Sequence, residues 1–286
     1  MVFKHNNGKK YIECNYEHYE INGIYKSYYF DGSPEITNYY KNGSKDSVYK
    51  SFFYGGKLQS EGNYILGQKH GKWKYYYNNG KIKEEENYED GKLIGENKFY
   101  RRDGSLEKVS TYKKNNLDGP YKYYADKDQL ALILNYKNNE LLSYTYEDKT
   151  GKLIEPIMLK GSTGKVSAFF KNGLASAIIN FVNNEAQGSR KLFYSNGTPC
   201  IDGTKELGFD NGQKKTYYAN GKIEFEENFA LGNLTGIRKT YYPTGVLESE
   251  ENFYDNTPHG ISKYFDETGK LIQTRKYFYN NLLSIK

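Results

Sequence analysis

The chain has 286 residues, of which 32 are Tyr and 15 are Phe, against one Trp, two Met and two Cys. Its mean hydropathy of −0.90 is very polar, but an aromatic content of 17% excludes intrinsic disorder, because disordered segments are poor in aromatic residues. The net charge of +6 is dispersed over the sequence, which disfavours a basic nucleic-acid-binding tail. Two distant cysteines, Cys14 and Cys200, exclude a disulfide framework.

The N-terminal residues bear on where the protein resides. Residues 1–6 contain no apolar run of the kind that a signal peptide needs. No apolar stretch elsewhere is long enough for a transmembrane helix. We therefore expect a cytoplasmic protein, with a secreted or surface protein whose signal peptide has been removed as the alternative.

A 24-residue repeat dominates the sequence in chain order. Residues 1–22 are a partial unit, regular units fill 23–141, more apolar and degenerate units fill 142–187, and regular units resume over 188–286. Unit starts at the 24-residue spacing are Gly23, Ser47, Gly71, Gly95 and Gly119, and then Gly164, Gly188, Gly212, Gly236 and Gly260. A fixed period of this length is typical of repeat proteins, so residues 1–286 are predicted to form a single array.

Each unit has the pattern of a β-hairpin. Turn dipeptides such as Asn79-Gly80 and Asp103-Gly104 favour a two-residue type I′ turn, and their flanks are rich in strand-forming aromatic residues. A second Gly or Asn turn connects each hairpin to the next. We predict an all-β fold, an elongated and twisted antiparallel sheet of about eleven hairpin repeats, with closure into a barrel or a sandwich disfavoured.

The turn position also predicts which residues stand opposite each other. It places Lys74 across from Glu85, and the equivalent pairs are Lys215 with Glu226 and Lys239 with Glu250. Opposite charges on facing strands contribute roughly 0.2–1 kcal/mol each, so this column is expected to help set the register.

These columns resemble a known family. Residues 71–91 follow the pattern Gly-x-x-Lys-x-Tyr-Tyr-x-x-Gly-Lys-Ile-x-x-Glu-x-x-Tyr-x-x-Gly of the bacterial MORN-repeat variant, and residues 212–232 are a second close copy. The resemblance covers nearly the whole chain. It implies a YwqK-like antitoxin or immunity-type protein that binds a partner and does not catalyse a reaction.

Residues 126–187 depart most from the repeat and concentrate aliphatic side chains. One interpretation is a bend or a two-sided core; the other is an apolar docking patch. The same two interpretations, packing or partner contact, apply to Trp73, the one tryptophan, and its neighbours. The candidate partner-binding residues are Trp73, Tyr75, Tyr77, Leu132, Leu134, Ile157, Leu159 and Ile179.

Signals for chemistry are sparse. No pair among the four histidines or the two cysteines has metal-ligand spacing, and nucleophile-elbow, P-loop and dinucleotide-binding motifs are absent. We expect a non-enzymatic protein that needs no cofactor and no metal. The leading hypothesis is a protein-binding inhibitor, antitoxin, immunity or anti-defence protein acting on an effector such as a toxin or nuclease.

Two alternatives stay open at this point. One is a structural or adhesin-like surface scaffold. The other is a nucleic-acid-binding platform of Lys and Tyr, which the matching Glu column disfavours. The free sheet edges also leave open a homodimer.

Overall fold

The chain folds almost entirely into β-strands. The computed structural model describes residues 1–286, with the side chains of all of them except Lys127 and Asn281. Within that description there is no α-helix, and the only helical turns are two short 3-10 turns at Asp126–Asp128 and Lys160–Ser162. The predicted all-β class is confirmed.

The strands form two sheets. The strands of the first sheet are β1 Val2–Lys4, β2 Lys10–Glu17, β3 Glu20–Tyr28, β4 Pro34–Lys41, β5 Ser44–Phe52, β6 Leu58–Ile65, β7 Gln68–Tyr76, β8 Ile82–Glu89, β9 Lys92–Leu93, β10 Gly95–Tyr100, β11 Leu106–Lys113, β12 Asn116–Tyr124, β13 Leu130–Lys137, β14 Glu140–Thr145 and β15 Ile157–Met158. The strands of the second sheet are β16 Gly164–Phe169, β17 Ala175–Val182, β18 Glu185–Phe193, β19 Pro199–Glu206, β20 Phe209–Asp210, β21 Gly212–Tyr217, β22 Ile223–Ala230, β23 Asn233–Leu234, β24 Gly236–Tyr241, β25 Leu247–Tyr254, β26 Thr257–Pro258, β27 Gly260–Phe265, β28 Leu271–Phe278 and β29 Asn281–Ile285.

Within each sheet the strands follow one another in chain order, and the pairs are antiparallel. This is the predicted series of hairpins, but it is divided between two sheets. By their internal contacts the residues form two compact units, one of residues 1–122 with 136–139 and the other of residues 123–135 with 140–286.

The first turn of each repeat differs from the prediction. In the first turn Gly80 N donates to Tyr77 O at 2.9 Å and Tyr77 N donates to Lys81 O at 2.8 Å, and φ is positive at Gly80 but not at Asn79. This is a three-residue loop with a glycine bulge, so the predicted type I′ turn at Asn79-Gly80 is wrong. The type I′ geometry belongs to the second turn, where both Asp90 and Gly91 have positive φ.

The predicted register is confirmed. Lys74 stands opposite Glu85, and the equivalent pairs Lys215 with Glu226 and Lys239 with Glu250 also face each other. The longer first turn leaves these pairs in place because a register shift between Tyr75 and Tyr76 absorbs its extra residue.

Tyrosine hydroxyls connect one repeat to the next. One column donates to a backbone carbonyl 23 residues later, at 2.6–2.9 Å, and its members are Tyr29, Tyr77, Tyr194, Tyr218 and Tyr242. The preceding column donates to a glutamate of the previous repeat, and its members are Tyr28, Tyr76, Tyr100 and Tyr241. Because a single hairpin is only marginally stable in water, these bonds between neighbouring repeats help to hold the array together.

The second unit contains an aliphatic core. Ala125 occupies the position that carries Tyr77 in its own repeat, and it packs with Ala131 and Phe170 in one buried cluster. Ser176 Oγ donates to Ala131 O at 2.6 Å, which fixes β17 against β13. The small side chain at position 125 leaves room for Phe170, so the degenerate segment of the sequence supplies a core in this unit.

Candidate protein-binding surface

Trp73 lies in the aromatic interior of one sheet face. Only 2% of its surface is exposed, and its Nε1 donates to Asn63 O at 3.1 Å. Its ring centroid lies 5.4 Å from that of Tyr49 and 5.0 Å from that of Tyr64. The structure therefore matches the packing interpretation of Trp73, and no partner could contact this indole without opening the face.

A lysine of the same chain occupies this aromatic cluster. Lys69 Nζ lies 4.5 Å from the ring centroid of Trp73 and 4.8 Å from that of Tyr88. Burial lowers the pKa of Lys69. Burial, followed by a hydrogen bond to Glu86, raises the pKa of Tyr75. The face around Trp73 is thus closed by its own cation–π contacts.

The remaining predicted residues divide between interior and surface. Leu132, Leu134 and Ile179 are buried, which contradicts a docking patch at these residues and follows from the core of the second unit. Tyr75 is half-buried, and so is Tyr77, whose hydroxyl is bonded to Tyr100 O. Ile157, on the short edge strand β15, is 40% exposed. Leu159, which directly follows the end of that strand, is half-buried.

An exposed apolar surface that the sequence analysis missed lies at the type I′ turns of the second sheet. Leu207 and Leu231 occupy the first central position of these turns, with φ of 49° and 45° and exposures of 57% and 52%. The left-handed region is costly for leucine. Most other repeats place a polar residue such as Asn183 or Asp255 there, although Leu66 holds the position in the first sheet, and leucine at this position was the available signal.

Phe209 follows Leu207 by two residues and lies beside the turn of Leu231. It is 56% exposed, and a Cβ atom added at Gly232 would lie 2.9 Å from its Cδ1 atom, so its ring lies beside the turn of Leu231. Gly232 N donates to Asp210 O at 2.8 Å, which stacks one turn on the next. We call the surface formed by Leu207, Phe209 and Leu231 the leucine edge.

An aromatic group follows along the same row of turns. The rings of Tyr254 and Tyr279 lie 5.9 Å apart, and those of His259 and Tyr279 lie 4.7 Å apart. Tyr254 is 57% exposed. Tyr and apolar side chains thus continue the exposed surface beyond the leucine edge.

At the leucine edge the basic side chains are paired with an aspartate, whereas other carboxylates are exposed to solvent. Asp210 holds the basic groups inward, with its carboxylate 3.0 Å from Lys205, 3.4 Å from Arg190 and 3.5 Å from Lys214. Burial is the largest influence on Lys205 and lowers its pKa, whereas the three cations together hold the pKa of Asp210 below its usual range despite burial. The carboxylates of neighbouring turns face solvent: Glu185, Glu206 and Asp255 are exposed.

Among the residues that the structure describes, no group of three or more His, Cys, Asp or Glu side chains could hold a metal ion. No helix in the described part of the chain is long and apolar enough to cross a membrane.

The comparison with protein families matches the repeats themselves. The model of the MORN repeat variant matches seven segments that together cover more than half of the chain: residues 21–42, 45–65, 69–90, 117–138, 210–230, 234–256 and 258–281. The chain belongs to the MORN repeat variant family. The MORN match omits residues 139–209, which contain the degenerate units.

Other comparisons add little to the MORN assignment. None of the curated proteins compared with the chain matches it significantly. Among solved structures, the TcdB2-TccC3-Cdc42 complex is 9% identical, with 94% of this chain and 19% of that chain covered and a TM-score of 0.16. A TcdB2-TccC3 structure without the hypervariable C-terminal region is 13% identical, with 89% and 16% covered and a TM-score of 0.18. The chain thus spans less than a fifth of these structures, and TM-scores this low carry no argument.

Proposed function

We propose that this MORN-repeat protein is a non-enzymatic protein-binding module that inhibits an effector protein, such as a toxin or nuclease, in the manner of an antitoxin, immunity or anti-defence protein. The observation that carries the proposal is the leucine edge. Contiguous apolar side chains on the surface of a soluble protein mark interaction sites, and here two of them occupy an unfavourable backbone conformation that a polar residue would fill at less cost.

The scaffold is suited to recognition. Strands paired in chain order and tyrosine bonds between repeats hold the turns in fixed positions, so little conformational entropy is lost when a partner binds. The exposed Tyr254 and Tyr279 next to the leucine edge supply aromatic groups of the kind that contribute most at interfaces.

The rival of a nucleic-acid platform has less support. In the lysine column Lys50 lies 3.8 Å from Glu61 and Lys215 lies 3.3 Å from Glu226, so carboxylates accompany the cations that would contact phosphates. A cytoplasmic location is part of the proposal. A surface scaffold is the remaining alternative.

The test is affinity capture. The purified chain is immobilised, exposed to lysate of its source cells at about 0.15 M salt, and the retained material is identified by mass spectrometry. We expect one dominant stoichiometric protein, whose activity is lost when the chain is added in excess. Retention of nucleic acid alone, of no protein, or of a protein whose activity the chain leaves intact would contradict the proposal of an inhibitor.

A further inference from the structure

We infer that the leucine edge receives a basic, apolar protein segment, one in which lysine or arginine alternates with aliphatic or aromatic side chains. The inference rests on the proposed function and names the chemistry of the partner. It is carried by the coincidence of three features at one place: exposed apolar groups, an outward rim of carboxylates, and cations that are turned inward.

The rim is defined by position. Glu185 lies beside Gly208, because a Cβ atom added at that glycine would lie 3.9 Å from the Cβ atom of Glu185. Glu206 immediately precedes Leu207 in the chain, and Asp255 occupies the equivalent position in the next type I′ turn after Leu231. The apolar side chains are therefore bordered by carboxylates on both sides.

Within the four turns that carry or flank the leucine edge, no accessible cation opposes that rim. The exposed Lys160 lies outside them, at the turn that stacks on Asn184. In the four turn segments 181–186, 205–210, 229–234 and 253–258 the one basic residue is Lys205. Its side chain is 15% exposed and is held by Asp210 at 3.0 Å. A chain with a net charge of +6 thus presents an acidic border at this surface, and complementary charge selects a basic partner.

The backbone of the two leucines makes the inference testable without damaging the fold. Asn183 and Asn138 adopt the same left-handed conformation at the equivalent position of other repeats. Substituting Leu207 and Leu231 with Asn therefore removes the apolar side chains and relieves backbone strain at the same time. If the two leucines were retained only for stability, the same substitutions would lower the melting temperature.

The probe is a fluorescein-labelled synthetic peptide that alternates Lys and Leu, and its Glu–Leu counterpart is the charge control. Binding is measured by fluorescence anisotropy at about 0.15 M salt. The proteins are the wild-type chain, the L207N/L231N variant, a rim variant E185Q/E206Q/D255N, and L66N. Leu66 is the matched control because it is 79% exposed with φ of 50° at the same turn position of the first sheet.

We expect the Lys–Leu peptide to bind the wild-type chain and L66N equally, and to bind both L207N/L231N and the rim variant at least about tenfold more weakly. We expect the Glu–Leu peptide not to bind. The melting temperature of L207N/L231N should equal or exceed that of the wild type. Equal binding by L207N/L231N, equal binding of the two peptides, or no binding of the Lys–Leu peptide would overturn the inference.

Failure of the inference is distinguishable from failure of the proposed function. If L207N/L231N still captures the partner protein from lysate, the chain is a protein-binding module but the leucine edge is not its site. If the wild-type chain captures no protein, the proposed function fails, and the peptide result then judges the chemistry of the leucine edge alone.

Discussion

Trp73 lies directly over Gly62 of the neighbouring strand, so closely that a Cβ atom at residue 62 would lie 2.3 Å from Cδ2 of the indole. Gly62 does not have a positive φ, so the absence of a side chain there serves packing and not a left-handed backbone. The single tryptophan of the chain thus fills a space that a single strand glycine leaves open.

We therefore expect Gly62→Ala to lower the free energy of unfolding by more than about 2 kcal/mol, because the added methyl group meets a ring that is itself enclosed. The measurement is urea denaturation followed by tryptophan fluorescence. Gly203→Ala is the matched control. It has the same position in its repeat, but the nearest atom is Cγ of the flexible Lys214 at 3.3 Å. Similar losses from the two substitutions would contradict this account of Trp73.

The hydroxyl of Tyr218 donates to Tyr241 O at 2.7 Å and connects two repeats of the second sheet. Tyr218→Phe leaves a carbonyl oxygen without this donor, and we expect it to cost about 1 kcal/mol of unfolding free energy. The control is Tyr19→Phe, because Tyr19 is fully exposed. Urea midpoints that shift equally for the two variants would show that the column of tyrosine hydroxyls does not stabilise the array.

The carboxyl of Glu84 is expected to make stability depend on pH. Burial, followed by repulsion from Glu86, raises the pKa of Glu84 from 4.5 to about 7. Lys83 and Lys108 oppose this rise. The folded state retains the proton more tightly than the unfolded state, so this contribution to stability is present below pH 4.5 and is lost as the pH rises to about 7.

Glu84→Gln should remove that dependence and stabilise the chain at pH 8 by up to about 3 kcal/mol. Thermal melts at closely spaced pH values between 4.5 and 8 provide the measurement. Glu89→Gln, which removes an exposed carboxylate of the same strand, is the control. If the melting temperature of Glu84→Gln changed with pH as steeply as that of the wild type, Glu84 would not be the source of the pH dependence.

Alkaline pH should weaken contacts between repeats. Burial, followed by the hydrogen bond to Glu226, raises the pKa of Tyr241 from 10.0 to about 12. A raised tyrosine pKa contributes stability that is complete below pH 10 and is lost as the pH approaches 12. The difference in absorbance at the phenolate band between wild type and Tyr241→Phe should therefore titrate with a midpoint near pH 12. A midpoint near 10 would contradict the hydrogen bond from Tyr241 to Glu226.

The sequence by itself determined the repeat period, the all-β class, the antiparallel hairpins and the pairing of Lys74 with Glu85. These features are local, because turn residues and a two-residue alternation of side chains set a hairpin without reference to the rest of the chain. The family also follows from the columns of the repeat. The sequence also predicted type I′ turns, but at the wrong position. It placed them at Asn79-Gly80, whereas the structure has them at positions such as Asp90-Gly91.

Tertiary structure alone decided which apolar groups are accessible. For Trp73, Leu132 and Ile179 the sequence left both packing and docking open, and all three are buried. Leu207 and Leu231, which the sequence did not single out, are exposed. How much of a side chain is exposed depends on its contacts with residues distant in the chain, as Trp73 depends on Gly62. A repeat pattern shows only the contacts that every repeat shares.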